Sequence, residues 1–150
     1  MSVIINSADS LARIETGMII VPIHVYPHKF VRHPLPEVRL RYPLAYAQMR
    51  RFGDAGLIEK GSLIKSERFA ETRIVVWMPT AMSTTGKHFL DWIAAALREM
   101  RNQGLHDRYT IGFPAIGVYD ADKTDVRRVF RLVKKYLSDG EKDVHFLVNY

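Results

Sequence analysis

A three-layer α/β/α fold on a mixed central sheet is predicted by three features of the sequence. Met18 to Val25 (MIIVPIHV) is a near-continuous apolar run rich in Ile and Val, the pattern of a strand covered on both faces by helices. Tyr109 to Leu137 passes from a short β-rich run through a Pro-Ala-Ile-Gly turn into an amphipathic helix. Strand, glycine loop and helix is the order in which α/β proteins present backbone N–H groups and a helix N-terminus to a phosphate. Ser62 to Ser66 and Arg73 to Met78 flank a polar turn, which predicts an antiparallel hairpin and so a mixed sheet.

The elements follow in chain order. Pro22 is awkward inside the first apolar strand and predicts a bulge or strand end nearby. Four prolines between Pro27 and Pro43 predict loop or broken helix. Pro43 suits the first position of a helix reaching about Phe52, closed by Gly53 or Gly56. After the hairpin, Pro79 stops the second strand and Thr80 to Lys87 reads as a polar loop. From His88 to Gln103, Phe89, Ile93, Ala96, Leu97 and Met100 recur at helical spacing, with Gly104 as the C-terminal stop. Tyr109 to Phe113 is the next strand. Val126, Val129, Phe130, Val133 and Leu137 form the apolar stripe of the last helix, with Asp122 as its N-cap and Asp125 favouring the positive end. Val144 to Val148 is a terminal strand.

A chain of 150 residues predicts a single domain over 1–150, large enough to bury about 68–70% of its unfolded surface. The absence of cysteine excludes disulfides, thiolate zinc sites and cysteine nucleophiles, and suits a reducing, cytoplasmic setting. No apolar run approaches the roughly 20 residues of a membrane helix, and residues 1–10 lack the pattern of a signal peptide. The net charge of +6 favours polyanionic partners. Its positive charges concentrate in Lys29, Arg32, Arg39, Arg41, Arg50 and Arg51, and again in Arg127, Arg128, Arg131, Lys134 and Lys135 of the last helix. Either cluster is a solvated face or a polyanion-binding one, with Arg32, Arg39, Arg41, Arg50, Arg51, Arg127, Arg128 and Arg131 as the binding candidates.

Catalytic signatures are scarce. The stretch from Gly112 to Asp122 contains only Gly112 and Gly117, so it is neither a Walker loop nor a dinucleotide fingerprint, and an ordinary turn would look the same. Residues 84–87 (TTGK) also fail the Walker pattern. The six histidines are scattered; His24 and His28 straddle Pro27 and do not form a helical metal pair. No metal and no cofactor is expected. Tyr46, Trp77 and Trp92 are read as core or interface packing before base-stacking platforms.

Order and spacing together resemble a macrodomain, the ADP-ribose-binding α/β fold. The resemblance lies closest to the branch of DNA ADP-ribosyl glycohydrolase antitoxins and related deacylases. It rests on Arg41-Tyr42-Pro43-Leu44-Ala45-Tyr46 opening a helix, on Gly61-Ser62-Leu63-Ile64, and on the strand ending Val75-Val76-Trp77-Met78-Pro79-Thr80. Leu90, Ile93, Ala96 and Leu97 match the following helix, and Ile111-Gly112-Phe113-Pro114-Ala115-Ile116-Gly117 is the most specific match. The departures are equally specific. An Asn and a glycine-rich loop are expected after the first buried strand, whereas this chain has His24-Val25-Tyr26-Pro27-His28-Lys29. Ala81 stands where glycohydrolases of this branch can carry a catalytic lysine, and Tyr119 where a second glycine is expected.

The resemblance implies a phosphate-facing loop of Pro114, Ala115, Ile116, Gly117, Val118, Tyr119 and Asp120, with Thr80 to Lys87 as a wall, so Thr80 and Lys87 join the ligand candidates. Tyr119 would cap the ligand, and His24, His28 and Lys29 would replace the missing glycine loop with charge. Three functions stay open. The first is binding of ADP-ribose, a related nucleotide or an ADP-ribosylated partner without the standard catalysis. The second is an ADP-ribosyl hydrolase using His24, Lys29 or Asp120. The third is a basic nucleic-acid or protein interaction module that kept the fold and lost the pocket.

Overall fold

The computed structural model describes residues 2–25, 34–66, 73–82, 88–118 and 125–149. Its framework is a six-stranded sheet in the order β1-β6-β5-β2-β4-β3. The strands are β1 (Val3–Asn6), β2 (Met18–His24), β3 (Ile64–Lys65), β4 (Ile74–Ala81), β5 (Ile111–Pro114) and β6 (Val144–Leu147). Four of the five pairings are parallel, and only β3 runs antiparallel to β4, so the sheet is mixed as predicted. β2 and β4 are the centre because both are apolar but for His24 and Thr80: Met18 to Ile23 and all of Ile74–Ala81 are buried. Pro22 is tolerated because β2 pairs with β5 only at Met18 and Ile19. The predicted irregularity falls just beyond it, as a register shift between Ile23 and His24.

Crossovers between parallel strands are almost always right-handed, and this rule places the helices. The chain moves from β2 to β4 in one direction across the sheet, through α1 (Pro34–Arg41) and α2 (Pro43–Asp54). It then moves the other way, from β4 to β5 through α3 (Leu90–Asn102) and α4 (Leu105–Arg108), and from β5 to β6 through α5 (Val126–Leu137). The reversal puts α1 and α2 on one face and α3 and α5 on the other, which is the three-layer architecture.

Several local readings change. The proline-rich segment expected as loop or broken helix contains α1, and the chain breaks at Tyr42 (φ −130°, ψ 64°), the residue before Pro43. A residue before proline is pushed out of the helical region by the ring's Cδ. Tyr42 is buried; its hydroxyl donates to the Ala12 carbonyl at 3.3 Å and accepts from Arg73 at 3.0 Å. The N-cap of α5 is Asp125, whose carboxylate accepts from the Arg127 amide at 3.0 Å; Asp122 lies outside the described residues. β1 and α4 were not anticipated. β1 is only four residues long, two of them exposed, which is too short to show an alternating pattern.

A surface clamp ties the ends of α3 and α5 together. The Arg101 guanidinium donates to both Asp139 oxygens, at 2.5 and 2.7 Å, and to the Tyr136 carbonyl at 2.9 Å. Hydrogen bonding and charge from Arg101 hold the Asp139 carboxyl down at about 2, from the ordinary 3.8. A depressed folded-state value means the clamp's stabilisation is complete above the unfolded carboxylate's pKa and is lost as pH falls through about 2. Thermal melts of the parent and Asp139→Asn should therefore converge on acidification from pH about 5 to 2. A constant gap between them would refute the clamp.

Candidate functional site

The crossover reversal makes the boundary between β5 and β2 a topological switch point, where open α/β sheets form a crevice outside the carboxyl ends of their strands. Pairing shows how it opens. β2 and β5 are joined at Met18–Ile111 and Ile19–Gly112 and nowhere beyond. From Ile20 onward β2 continues with β4 alone, while Phe113 and Pro114 stay with Phe146 and Leu147 of β6. The two central strands thus part toward their carboxyl ends, with His24 terminating one and the 115–118 turn the other.

That turn is held by its own backbone. The Ala115 amide donates to the Leu147 carbonyl at 2.8 Å, Ile116 to Pro114 at 2.8 Å, and Val118 to Ala115 at 3.1 Å. The Ala115 and Ile116 side chains are fully buried, and Val118 is exposed. Gly117 has φ of 108°, a conformation in which a Cβ is strained. Among the described residues no group accepts from its N–H, the one amide of the four left without an internal acceptor. A fixed turn whose amide has no acceptor among the described residues can supply a donor to an anion without reorganisation.

On the other side of β2, the candidate wall is a packed polar cluster. Thr80 is fully buried, with Oγ1 2.7 Å from Nδ1 of His88. Ala81 is also buried and forms a bridge with His88. The His24 and His88 rings meet edge to face at 6.2 Å. Thr80 is thus engaged with His88, a residue that sequence spacing did not single out. Its approach depends on the return of the chain after residue 82, for which sequence carries no periodic signal.

Of the candidates, Thr80, His24, Pro114, Ala115, Ile116, Gly117 and Val118 are described, all at the carboxyl ends of β2, β4 and β5. Lys29, Lys87, Tyr119, Asp120, His28 and Arg32 lie outside the described residues. The remaining basic candidates separate by layer. Arg39, Arg41, Arg50 and Arg51 belong to α1 and α2, where Arg39 stacks on the Tyr46 ring at 5.0 Å and Arg50 approaches Asp54 at 3.9 Å. Arg127, Arg128 and Arg131 lie on α5, and Asp125 faces the first two at 3.3 and 3.8 Å. Hence the described members of the two basic clusters lie in different helical layers. Among the described residues, no group of three or more His, Asp or Glu side chains is placed to hold a metal ion. None of the described helices is long and apolar enough to cross a membrane.

No protein-family profile matches the sequence, and no curated protein sequence does. Solved structures do match in shape. The macrodomain of Thermus aquaticus DarG superposes with a TM-score of 0.81 at 12% identity, covering 96% of this chain and 97% of that one. The macrodomain of Mycobacterium tuberculosis DarG gives 0.74 at 18% identity, covering 95% and 96%. Thermosipho africanus DarTG, solved in complex with ADP-ribose, gives 0.74 at 14% identity over 92% of this chain and 39% of that one. Near-complete coverage in both directions by the two DarG macrodomains, with the strand order and switch point described above, shows that this chain has the macrodomain fold.

Proposed function

We propose that this chain binds ADP-ribose, a related nucleotide or an ADP-ribosylated partner in the crevice between β2 and β5, without the catalysis usual for the related glycohydrolases. The parting of these strands beyond Ile19 and Gly112 carries the reading. It opens the sheet where the Gly117 amide has no acceptor among the described residues, and a diphosphate needs such a donor. The Thermosipho structure of the same fold was solved with ADP-ribose, which makes that nucleotide the first probe. Ala81, buried and without a functional group where a catalytic lysine is expected, supports binding over hydrolysis. The separation of the basic residues between two layers disfavours one broad polyanion surface.

Isothermal titration with ADP-ribose tests this directly. The expected result is saturable binding with a micromolar dissociation constant. Gly117→Val, forced to strain the turn by about 1–3 kcal/mol, should weaken binding by tenfold or more while the melting transition stays cooperative. No heat at millimolar ADP-ribose would overturn the nucleotide reading.

A further inference from the structure

A groove of about 410 Å³ runs between α3 and α5 on the outer helical layer, lined by Leu90, Asp91, Arg128, Arg131, Leu132 and Lys135. We propose that it docks a short acidic amphipathic segment of a partner protein. The site shares no residue with the 115–118 turn and does not rest on the nucleotide reading.

The groove's chemistry selects the occupant. Leu90 and Leu132 are half-buried and form an apolar floor. Arg128, Leu132 and Lys135 recur at i, i+4, i+7 along α5, with Arg131 beside them, so cations and apolar contact share one helical stripe. Long basic side chains lay their aliphatic stems along apolar surface and keep their charges at the rim. Among the described lining residues, three cations face one acid, Asp91. Arg128 also approaches Asp125 at 3.8 Å, but Arg131 and Lys135 have no acid within ion-pair distance among the described residues. α5 itself contains five basic residues and no acidic one. A phosphodiester backbone would satisfy the cations and leave the leucine floor uncovered. A peptide with one or two apolar anchors flanked by carboxylates covers both, in the helix-in-groove manner.

The probe is a fluorescein-labelled peptide of about four helical turns, with leucines at i, i+4 spacing and glutamates on the flanks. Fluorescence anisotropy on the full chain should show saturable binding. Arg131→Glu with Lys135→Glu should weaken it at least tenfold, and so should Leu90→Ala, with melting temperatures near the parent's. Arg39→Glu with Arg51→Glu, in the opposite layer, should leave it unchanged. Three results would each overturn the proposal: no binding; equal binding of a same-composition peptide with scattered leucines; or a DNA duplex that binds through Arg131 and Lys135 and is not displaced by the peptide. Saturating ADP-ribose should compete with none of these signals.

Discussion

Replacing Trp77 with alanine is expected to lower the unfolding free energy by about 3–5 kcal/mol. The side chain is fully buried at the middle of β4. Its backbone neighbours are Val21 of β2 and Ile64 of β3, so it sits where both pairings of β4 coincide. The indole reaches out of the sheet to the α2 layer, donating from Nε1 to the Ala45 carbonyl at 3.2 Å and meeting the Tyr46 ring edge to face at 6.4 Å. Truncation removes the largest of the fully buried side chains and leaves a cavity that a continuous β-strand cannot collapse to fill. Domains of this size are stable by only about 5–15 kcal/mol, so the variant should be close to its folding limit. Urea denaturation of the parent, Trp77→Ala and Trp77→Phe separates the contributions. Phenylalanine keeps most of the contact and loses the hydrogen bond, worth about 0.5–1.5 kcal/mol. An alanine cost below about 1 kcal/mol would mean that α2 is not held on this face through Trp77.

Gly140→Ala should cost about 2–4 kcal/mol, combining overpacking with disrupted hydrogen bonds. A Cβ there would meet the His106 carbonyl oxygen at 2.4 Å and its carbon at 2.8 Å. These are backbone atoms, and they cannot swing aside. The same carbonyl accepts from the Lys142 amide at 3.2 Å, and the Glu141 amide donates to Asp107 at 3.0 Å. A methyl group would therefore pry the 140–142 turn off α4. Gly56→Ala is the comparison: φ is 70° but no atom lies within 4 Å of the added carbon. Only the left-handed backbone then opposes alanine, at about 1–2 kcal/mol. Equal losses in chemical denaturation at the two sites would contradict the steric account.

The buried strands and the last helix were readable because their residues carry the pattern locally. Met18 to Ile23 is apolar without a break, and the stripe of Val129, Val133 and Leu137 faces one way on any helix. Pro43 likewise marked the first position of α2, although nothing showed that Pro34–Arg41 before it is itself helical. What escaped depends on distant partners. Val3–Asn6 is a strand because Val144–Leu147 lies beside it, and four residues contain no such information. The 115–118 turn was legible through Pro114 and Gly117, but the end of β2–β5 pairing after Ile19 and Gly112 was not, because it is a fact of how two distant strands meet. His88 reaches Thr80 only after the chain folds back, and Leu90 becomes a groove residue only when α5 brings Leu132 and Arg131 to it.

The pairing of β1 with β6 has a consequence for how the chain is made. Val144 donates to the Ser2 carbonyl and Val148 to that of Asn6, so the first strand is held by the last. During synthesis the β1 segment emerges before the other strands of this sheet, and its sheet neighbour β6 emerges after all of them. Contacts of such long separation form late, because loop closure costs entropy before the pairing compensates it. Ile4 and Ile5 remain partly exposed even in the finished fold, and until then they belong to an unpaired apolar strand. The interval between the two strands is thus the period in which a nascent chain is most open to pairing with the wrong neighbour.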